Sequence, residues 1–407
     1  MIPEMRAAEF DAADPLGPYR ERFTLPEGVI YLDGNSLGAL PKTTPAALAR
    51  VVEQEWGEGL IRSWNSAGWF DMAARIGGKI APLIGAGPHE VVACDSTSVN
   101  LFKLIAAALQ MRPGRKVVLS EPGNFPTDLY MIAGLEAQGL ATRRLAERGK
   151  LVDALDGDVA LLMLTHAHYK TGALFDMATL TRAAHEAGAL VLWDLSHSTG
   201  ALPVDLNAAS ADFAVGCGYK YLCGGPGAPA FAFVAERHQA ALQQPLTGWF
   251  GHAAPFAFSD DYAGAPGIER LQCGTPPVLG LAALEVGVDL IAEIGVDRLH
   301  AKSQALSEFF LESLMAHDVH LELVSPPRAG DRGSQLSFRH PEAYAICQAL
   351  IARGVIGDFR APDVLRLGFA PAYLSFADMA AAARHLAEVL ASGEWQRPEF
   401  NQRAAVT

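Results

Sequence analysis

The chain has 407 residues, half of them hydrophobic, so it can bury a large core without a disulfide scaffold. Its 32 basic and 45 acidic residues give a formal charge of −13, and no lysine-rich or arginine-rich run interrupts that balance, which argues against a nucleic-acid partner. The five cysteines (Cys94, Cys217, Cys223, Cys273, Cys347) are scattered, without the close pairs of a zinc or redox motif, and point to reduced thiols in a cytoplasmic protein.

Met1 to Pro18 lacks the basic start and apolar core of a signal peptide, and no apolar stretch reaches membrane-spanning length. Residues 1–45 are expected to form an extended N-terminal arm, because Pro3, Pro15, Pro18, Pro26, Pro41 and Pro45 interrupt helical periodicity around the turn-like Asp33-Gly34-Asn35-Ser36. From 46 to 280, apolar runs alternate with helical patterns. Val117-Val118-Leu119, Ala160 to Leu164 and Leu190 to Trp193 read as buried strands, while Leu180, Ala183, Ala184 and Ala187 share one helical face. Buried strands separated by helices imply an α/β unit with a mainly parallel sheet. After Pro276-Pro277, one long helical stretch from Leu281 to about Ala316 is expected. Strands at Leu321–Val324, Gln335–Phe338 and Val364–Gly368 follow, with helices over Ala343–Ala352 and from Phe376. Residues 281–407 therefore read as a smaller α+β domain, with a polar tail from Gly393 as its least ordered part.

Several residues fall in an order that suits one cofactor. Lys220 lies in Cys217-Gly218-Tyr219-Lys220-Tyr221-Leu222, after the apolar Phe213-Ala214-Val215 and before Gly224-Gly225-Pro226-Gly227. Its amine is expected to be desolvated between aromatic neighbours, as an imine-forming lysine requires; a lysine snorkelling from a strand end has the same local sequence. Asp194 closes the run Leu190 to Trp193, on the edge where open α/β sheets bind ligands, and His197 follows it. A helix N-cap and a structural histidine are the plainer alternatives. Ser96-Thr97-Ser98 precedes the helical Val99 to Lys103, where free amides and the helix dipole favour an anion, or where a hydroxyl merely caps the helix. Phe125-Pro126-Thr127-Asp128 offers either a flat ring and a carboxyl beside it, or a turn with a core phenylalanine. A lysine for the imine, an acid for the pyridine nitrogen, donors for the phosphate and a ring to stack are the four demands of pyridoxal 5'-phosphate (PLP). His166 and His168 have no acidic or sulfur ligand near them in sequence, so no metal is expected.

The chain resembles the kynureninases, PLP-dependent transferase fold type I enzymes of the class V aminotransferase superfamily, over nearly its whole length. The resemblance rests on Tyr31-Leu32-Asp33-Gly34-Asn35-Ser36-Leu37-Gly38, Ser98-Val99-Asn100-Leu101, Phe125-Pro126-Thr127-Asp128, Trp193-Asp194-Leu195-Ser196-His197, Gly218-Tyr219-Lys220-Tyr221-Leu222, Gly248-Trp249-Phe250-Gly251-His252 and Gly274-Thr275-Pro276-Pro277. It implies a large domain (46–280) with a mainly parallel seven-stranded sheet flanked by helices, and a small C-terminal domain (281–407) near which the arm packs. By resemblance, Lys220 carries the cofactor, Asp194 faces the pyridine nitrogen and Phe125 stacks on the ring. Thr97, Ser98, Tyr219 and Trp249 would surround the phosphate, while Asp128, Thr165 and His197 complete the pocket. Thr275 matches a position at a dimer-shared site, Arg366 the arginine for the substrate α-carboxylate, and Ser36 and Trp64 positions near the substrate ring. A planar guanidinium suits a carboxylate on chemical grounds too.

The implied reaction is hydrolysis of the Cβ–Cγ bond of L-kynurenine to anthranilate and L-alanine by a homodimer. Lys220 moves the α-proton, and Tyr219 either donates a later proton or only binds phosphate. Kynurenine is expected to be preferred over 3-hydroxykynurenine. A cysteine desulfurase or aminotransferase of the same superfamily is the competing enzyme. However, Tyr219 stands where desulfurases carry a histidine, and Cys347 lies in a helical pattern rather than a mobile loop. A PLP-binding protein without turnover is the non-enzymatic alternative.

Overall fold

The structure is a computed structural model that describes residues 3–403. The apolar runs form a seven-stranded sheet in the spatial order Val91–Ala93, Phe231–Val234, Phe213–Gly216, Leu190–Asp194, Val159–Thr165, Val117–Ser120 and Thr142–Leu145. Every residue of Val117–Ser120, Val159–Thr165 and Leu190–Asp194 is buried, because helices cover both faces of the sheet. That is why these strands read as continuous apolar runs instead of alternating ones. Phe231–Val234 runs antiparallel to both of its neighbours. A parallel return needs a helical crossover, and no helix lies between Gly216 and Phe231.

The parallel strands deliver their carboxyl ends to one edge. Asp194 and Thr165 are last residues of their strands, and the turns after Ser120 and Gly216 carry Phe125 and Lys220. The 15-residue helix Thr97–Met111 starts at the same edge, capped by the Ser96 side chain, which accepts from the Val99 amide at 3.3 Å. Close backbone approach explains Gly38 beside this edge: its amide donates to the Tyr219 carbonyl at 2.8 Å, and a Cβ there would lie 2.2 Å from the Lys220 carbonyl oxygen.

A second, four-stranded antiparallel sheet has the order Glu322–Leu323, Gln335–Arg339, Val364–Gly368, Asp358–Arg360. Val364–Gly368 is buried throughout and sets Arg366 opposite Asp358 on one side and Ser337 on the other.

Three expectations are corrected. The arm is not simply extended, since Pro3–Ala13 is an α-helix. A proline at the start of a helix costs no hydrogen bond, and the next proline comes only at position 15. Phe10 packs on Phe309 and Phe376 with centroids 5.6 and 5.0 Å apart, which anchors this helix on the C-terminal α+β region. The long helical stretch is two helices, Val278–Ile294 and Val296–Ala316, divided at Gly295, whose φ of 89° suits glycine. The first lies on Met72–Ile80 of the large-sheet region, tied by Arg75 and Lys79 to Glu285, and the second on Phe376–Ser392. Finally, the tail from Gly393 is folded back: two short 3-10 turns hold Trp395 against His340, 5.9 Å between centroids, and Glu394 pairs with Arg353. Residues 404–407 of that tail and residues 1–2 of the arm lie outside the described residues.

Candidate active site

At the carboxyl edge of the large sheet a cleft is lined by Thr97, Ser98, Phe125, Asp128, Thr165, Asp194, His197, Tyr219 and Lys220, together with Ser96, Thr127 and Ser196. The hydroxyls of Ser96, Thr97 and Ser98 line it where the helix Thr97–Met111 presents its free amides, the arrangement that favours an anion.

Lys220 is buried, with Nζ 3.0 Å from His197 Nε2 and 5.7 Å from the Phe125 ring centroid. Burial drives the His197 imidazole well below the usual histidine range, with Lys220 adding to the effect, so the ring is neutral and its Nε2 faces the Lys220 amine. Asp194 receives the Ser196 amide at 2.7 Å. Burial pushes its carboxyl up, against the opposing pull of Ser196 and Lys220. Asp128 is pushed well above the carboxylate range by burial and by the neighbouring Asp194, and its Oδ2 accepts from Thr165 Oγ1 at 3.1 Å. Phe125 is fixed edge-on against Tyr169, 5.2 Å between centroids. Tyr219 is held protonated, its phenol pushed up by burial and then by Cys217 and Asp194.

These features fit PLP. Asp128 Oδ1 and His197 Nδ1 are buried with no hydrogen-bond partner among the described residues, so the cleft is short of polar ligand atoms. Asp194 is a buried carboxyl in the cleft, the group that a protonated pyridine nitrogen would pair with. Helix amides and hydroxyls stand ready for the phosphate at the other end.

The remaining candidates fall elsewhere. Arg366 is fully buried in the neighbouring sheet, with Nε 2.8 Å from Asp358 Oδ1, Nη1 2.6 Å from the Tyr169 carbonyl and Nη2 2.8 Å from Ser36 Oγ. Through Tyr169 it abuts Phe125, and its charge reaches His197. Ser36 therefore belongs with this arginine, not with Trp64. Trp64 packs instead on Trp69 and Phe250, each 5.9 Å away. Trp249 and Thr275 are exposed and do not line the cleft of their own chain. Asn124 was not legible: its Oδ1 accepts from Thr165 Oγ1 and from the Phe125 amide, and its Nδ2 donates to Ser120 Oγ, so it fixes both the ring and the threonine. Its position just before Phe125-Pro126 was the available signal.

A cysteine desulfurase from Thermococcus onnurineus NA1 superposes with a TM-score of 0.79 at 20% identity, covering 92% of this chain and 98% of the other. Fold and cleft together define a PLP-dependent enzyme of fold type I. The kynureninase of Burkholderia mallei (strain SAVP1) is 51% identical, with 98% of this chain and 99% of that protein covered, and that of Pseudomonas fluorescens is 49% identical, with 98% of each covered. Residues 299–386 match the kynureninase C-terminal domain family. The chain belongs to the kynureninase family.

Proposed function

We propose that this protein hydrolyses L-kynurenine to anthranilate and L-alanine with PLP bound through its aldehyde to Lys220. The observation that carries the reading is the meeting of Lys220, Asp194 and Phe125 in one cleft, within a chain 51% identical to a kynureninase over 98% of its length. When bound, PLP supplies an electron sink for the carbons of the amino acid.

The rest falls to the chain's own groups. Arg366 binds the substrate α-carboxylate, held in place by Asp358 and Ser36. Phe125 flattens the site, and Asp128, Thr165 and His197 complete its walls. Asp194 would face the pyridine nitrogen of the bound cofactor and hold a proton there. With the cofactor bound, Lys220 Nζ would take the α-proton, with neutral His197 Nε2 3.0 Å away to accept a hydrogen bond from it. Water adds to the γ-carbonyl, the Cβ–Cγ bond breaks, and Tyr219, kept protonated by burial, donates a proton late in the sequence.

Supporting a homodimer with shared sites is a band of exposed aromatics around Trp249, with Phe256 and Phe258 63% and 81% exposed. In that assembly Trp249 and Thr275 reach the partner's cleft, and Trp64 with Thr275 favours kynurenine over 3-hydroxykynurenine. We place the domain division at Gly295, later than the sequence boundary of 281, because Val278–Ile294 packs on the large-sheet region. A cytoplasmic setting suits five cysteines that form no disulfide, and among the described residues no helix is long and apolar enough to cross a membrane. The test supplies kynurenine, 3-hydroxykynurenine and cysteine side by side, following anthranilate fluorescence and sulfide. Anthranilate from kynurenine at the highest kcat/KM is expected. Sulfide release without anthranilate would replace the reading with a desulfurase.

A further inference from the structure

One buried cation has no part in the chemistry of the cleft. Lys103 sits in the second turn of the helix Thr97–Met111, and its side chain is completely buried. Its Nζ donates to Asp95 Oδ2 at 2.7 Å and to the Leu271 carbonyl at 2.6 Å, and Cys94 Sγ lies 3.8 Å away. Three partners match the three N–H bonds of an ammonium, so none is left for a ligand. The Leu271 end of this arrangement is fixed, since Leu271 is itself fully buried at the end of the 3-10 turn Ile268–Leu271.

The Asp95 end is a strained bend. Asp95 stands between the strand Val91–Ala93 and the helix, directly before Ser96, with a φ of 50°. That is the left-handed region, which glycine enters freely and residues with a Cβ rarely. Relaxing this bend would move the cleft, because the next three residues, Ser96, Thr97 and Ser98, supply its hydroxyls and the first free amides of the helix. On the strand side the backbone is pinned: the Cys94 amide donates to the Ala230 carbonyl and the Ala230 amide to the Asp95 carbonyl, both at 2.9 Å. From the helix side, Lys103 reaches back across the bend to the Asp95 carboxylate.

We propose that Lys103 is a positioning residue for the cofactor phosphate: anchored on the Leu271 carbonyl, its ammonium grips the Asp95 carboxylate and holds that residue in the left-handed conformation that delivers Ser96, Thr97 and Ser98 to the cleft. The inference rests on the reading that the PLP phosphate lies at those hydroxyls and helix amides. Without the ion pair, Asp95 is free to return to an ordinary φ and the cradle swings away from the phosphate. Lys220 and Asp194 stand on other segments of the sheet edge, so the aldehyde and the pyridine nitrogen keep their partners.

The test measures equilibrium binding of PLP, and of pyridoxal, which lacks the phosphate, to the cofactor-free full-length protein through the absorbance band of the lysine-bound aldehyde. In K103M the Kd for PLP should rise at least about tenfold, the scale of one lost charge-assisted contact, while the Kd for pyridoxal stays within about twofold of the wild type. D95A and D95G both remove the carboxylate and both leave Lys103 its Leu271 partner, so the two differ in backbone preference at 95. D95A should weaken PLP binding as K103M does, whereas D95G, which adopts a φ of 50° without strain, should bind PLP within about threefold of the wild type. Should K103M not fold, this pair carries the test, because Asp95 is partly exposed. An unchanged Kd for PLP in K103M, equal rises for PLP and pyridoxal, or D95G as weak as D95A overturns the proposal. T97A/S98A separates out the underlying reading. If that variant binds PLP as the wild type does, the phosphate lies elsewhere and the proposal falls with it, whereas weakened PLP binding in T97A/S98A alongside wild-type binding in K103M overturns the role of Lys103 alone.

Discussion

Two buried aspartates at opposite ends of neighbouring strands show how differently the fold treats the same side chain. Asp212, just ahead of Phe213–Gly216, accepts hydrogen bonds from His185, His238, Arg237 and the Val191 amide at 2.8, 2.7, 2.7 and 2.8 Å. Burial alone would raise its carboxyl, but those partners hold it well below the carboxylate range. Asp194, at the carboxyl end of Leu190–Asp194, receives the Ser196 amide and is pushed up by its burial. A carboxylate whose lone pairs are all engaged ties the helix Met177–Glu186 to the strands and has nothing left for a ligand. One that is buried and under-satisfied, beside Asp128 Oδ1 and His197 Nδ1 without partners among the described residues, has a place for one.

The contrast can be broken in several ways. The largest expected effect is at Lys220: Lys220→Ala should abolish both turnover and the absorbance band of the lysine-bound cofactor, and survival of either would remove Lys220 from its role. Tyr219→Phe should lower kcat by roughly 10²-fold with that band retained, the scale of a lost general acid; an unchanged kcat would leave Tyr219 as a phosphate ligand only. At the other end of the strands, Asp212→Asn should cost about 3 kcal/mol of stability in denaturant unfolding while kcat per folded molecule stays the same.

That last loss carries a pH signature. The folded-state pKa of Asp212 is depressed, so its contribution is fully present above the unfolded aspartate value of about 3.9 and disappears as pH falls towards the folded value. The stability gap between wild type and Asp212→Asn should therefore be constant from neutral pH to about 5 and close below about 4; a gap that persists at low pH would assign the loss to something other than the charge. The smallest effect concerns the exposed aromatics. If the proposed homodimer forms through these aromatics, Phe258→Asp should shift the sedimentation profile from dimer towards monomer, with activity lost in proportion, and an unaltered profile would place any interface elsewhere.

Much of the cleft was legible because several of its residues carry a local sign, whereas Thr165 and Tyr219 entered through the family resemblance. Asp194 closes an apolar run, Ser96 to Ser98 open a helix, and Lys220 sits between aromatics ahead of a glycine-rich turn. Nine residues singled out in the sequence line one cleft because parallel strands bring all their carboxyl ends to a single edge. What was not legible depends on pairing between distant segments. Asp358 faces Arg366 through the register of an edge strand only three residues long, and Ser36 reaches Asp358 from 322 residues away. The antiparallel strand Phe231–Val234 was not picked out in the sequence, and its direction is set by the missing crossover helix. The first helix was hidden by a proline that is harmless at a helix start.

The central claim is that Lys220 is the residue that bears the cofactor. Reducing the PLP-loaded protein with borohydride and mapping the peptides by mass spectrometry tests it directly. The pyridoxyl phosphate mass should appear on the peptide carrying Lys220 and on no other; its appearance on a different lysine, or the absence of any labelled peptide, would contradict the account.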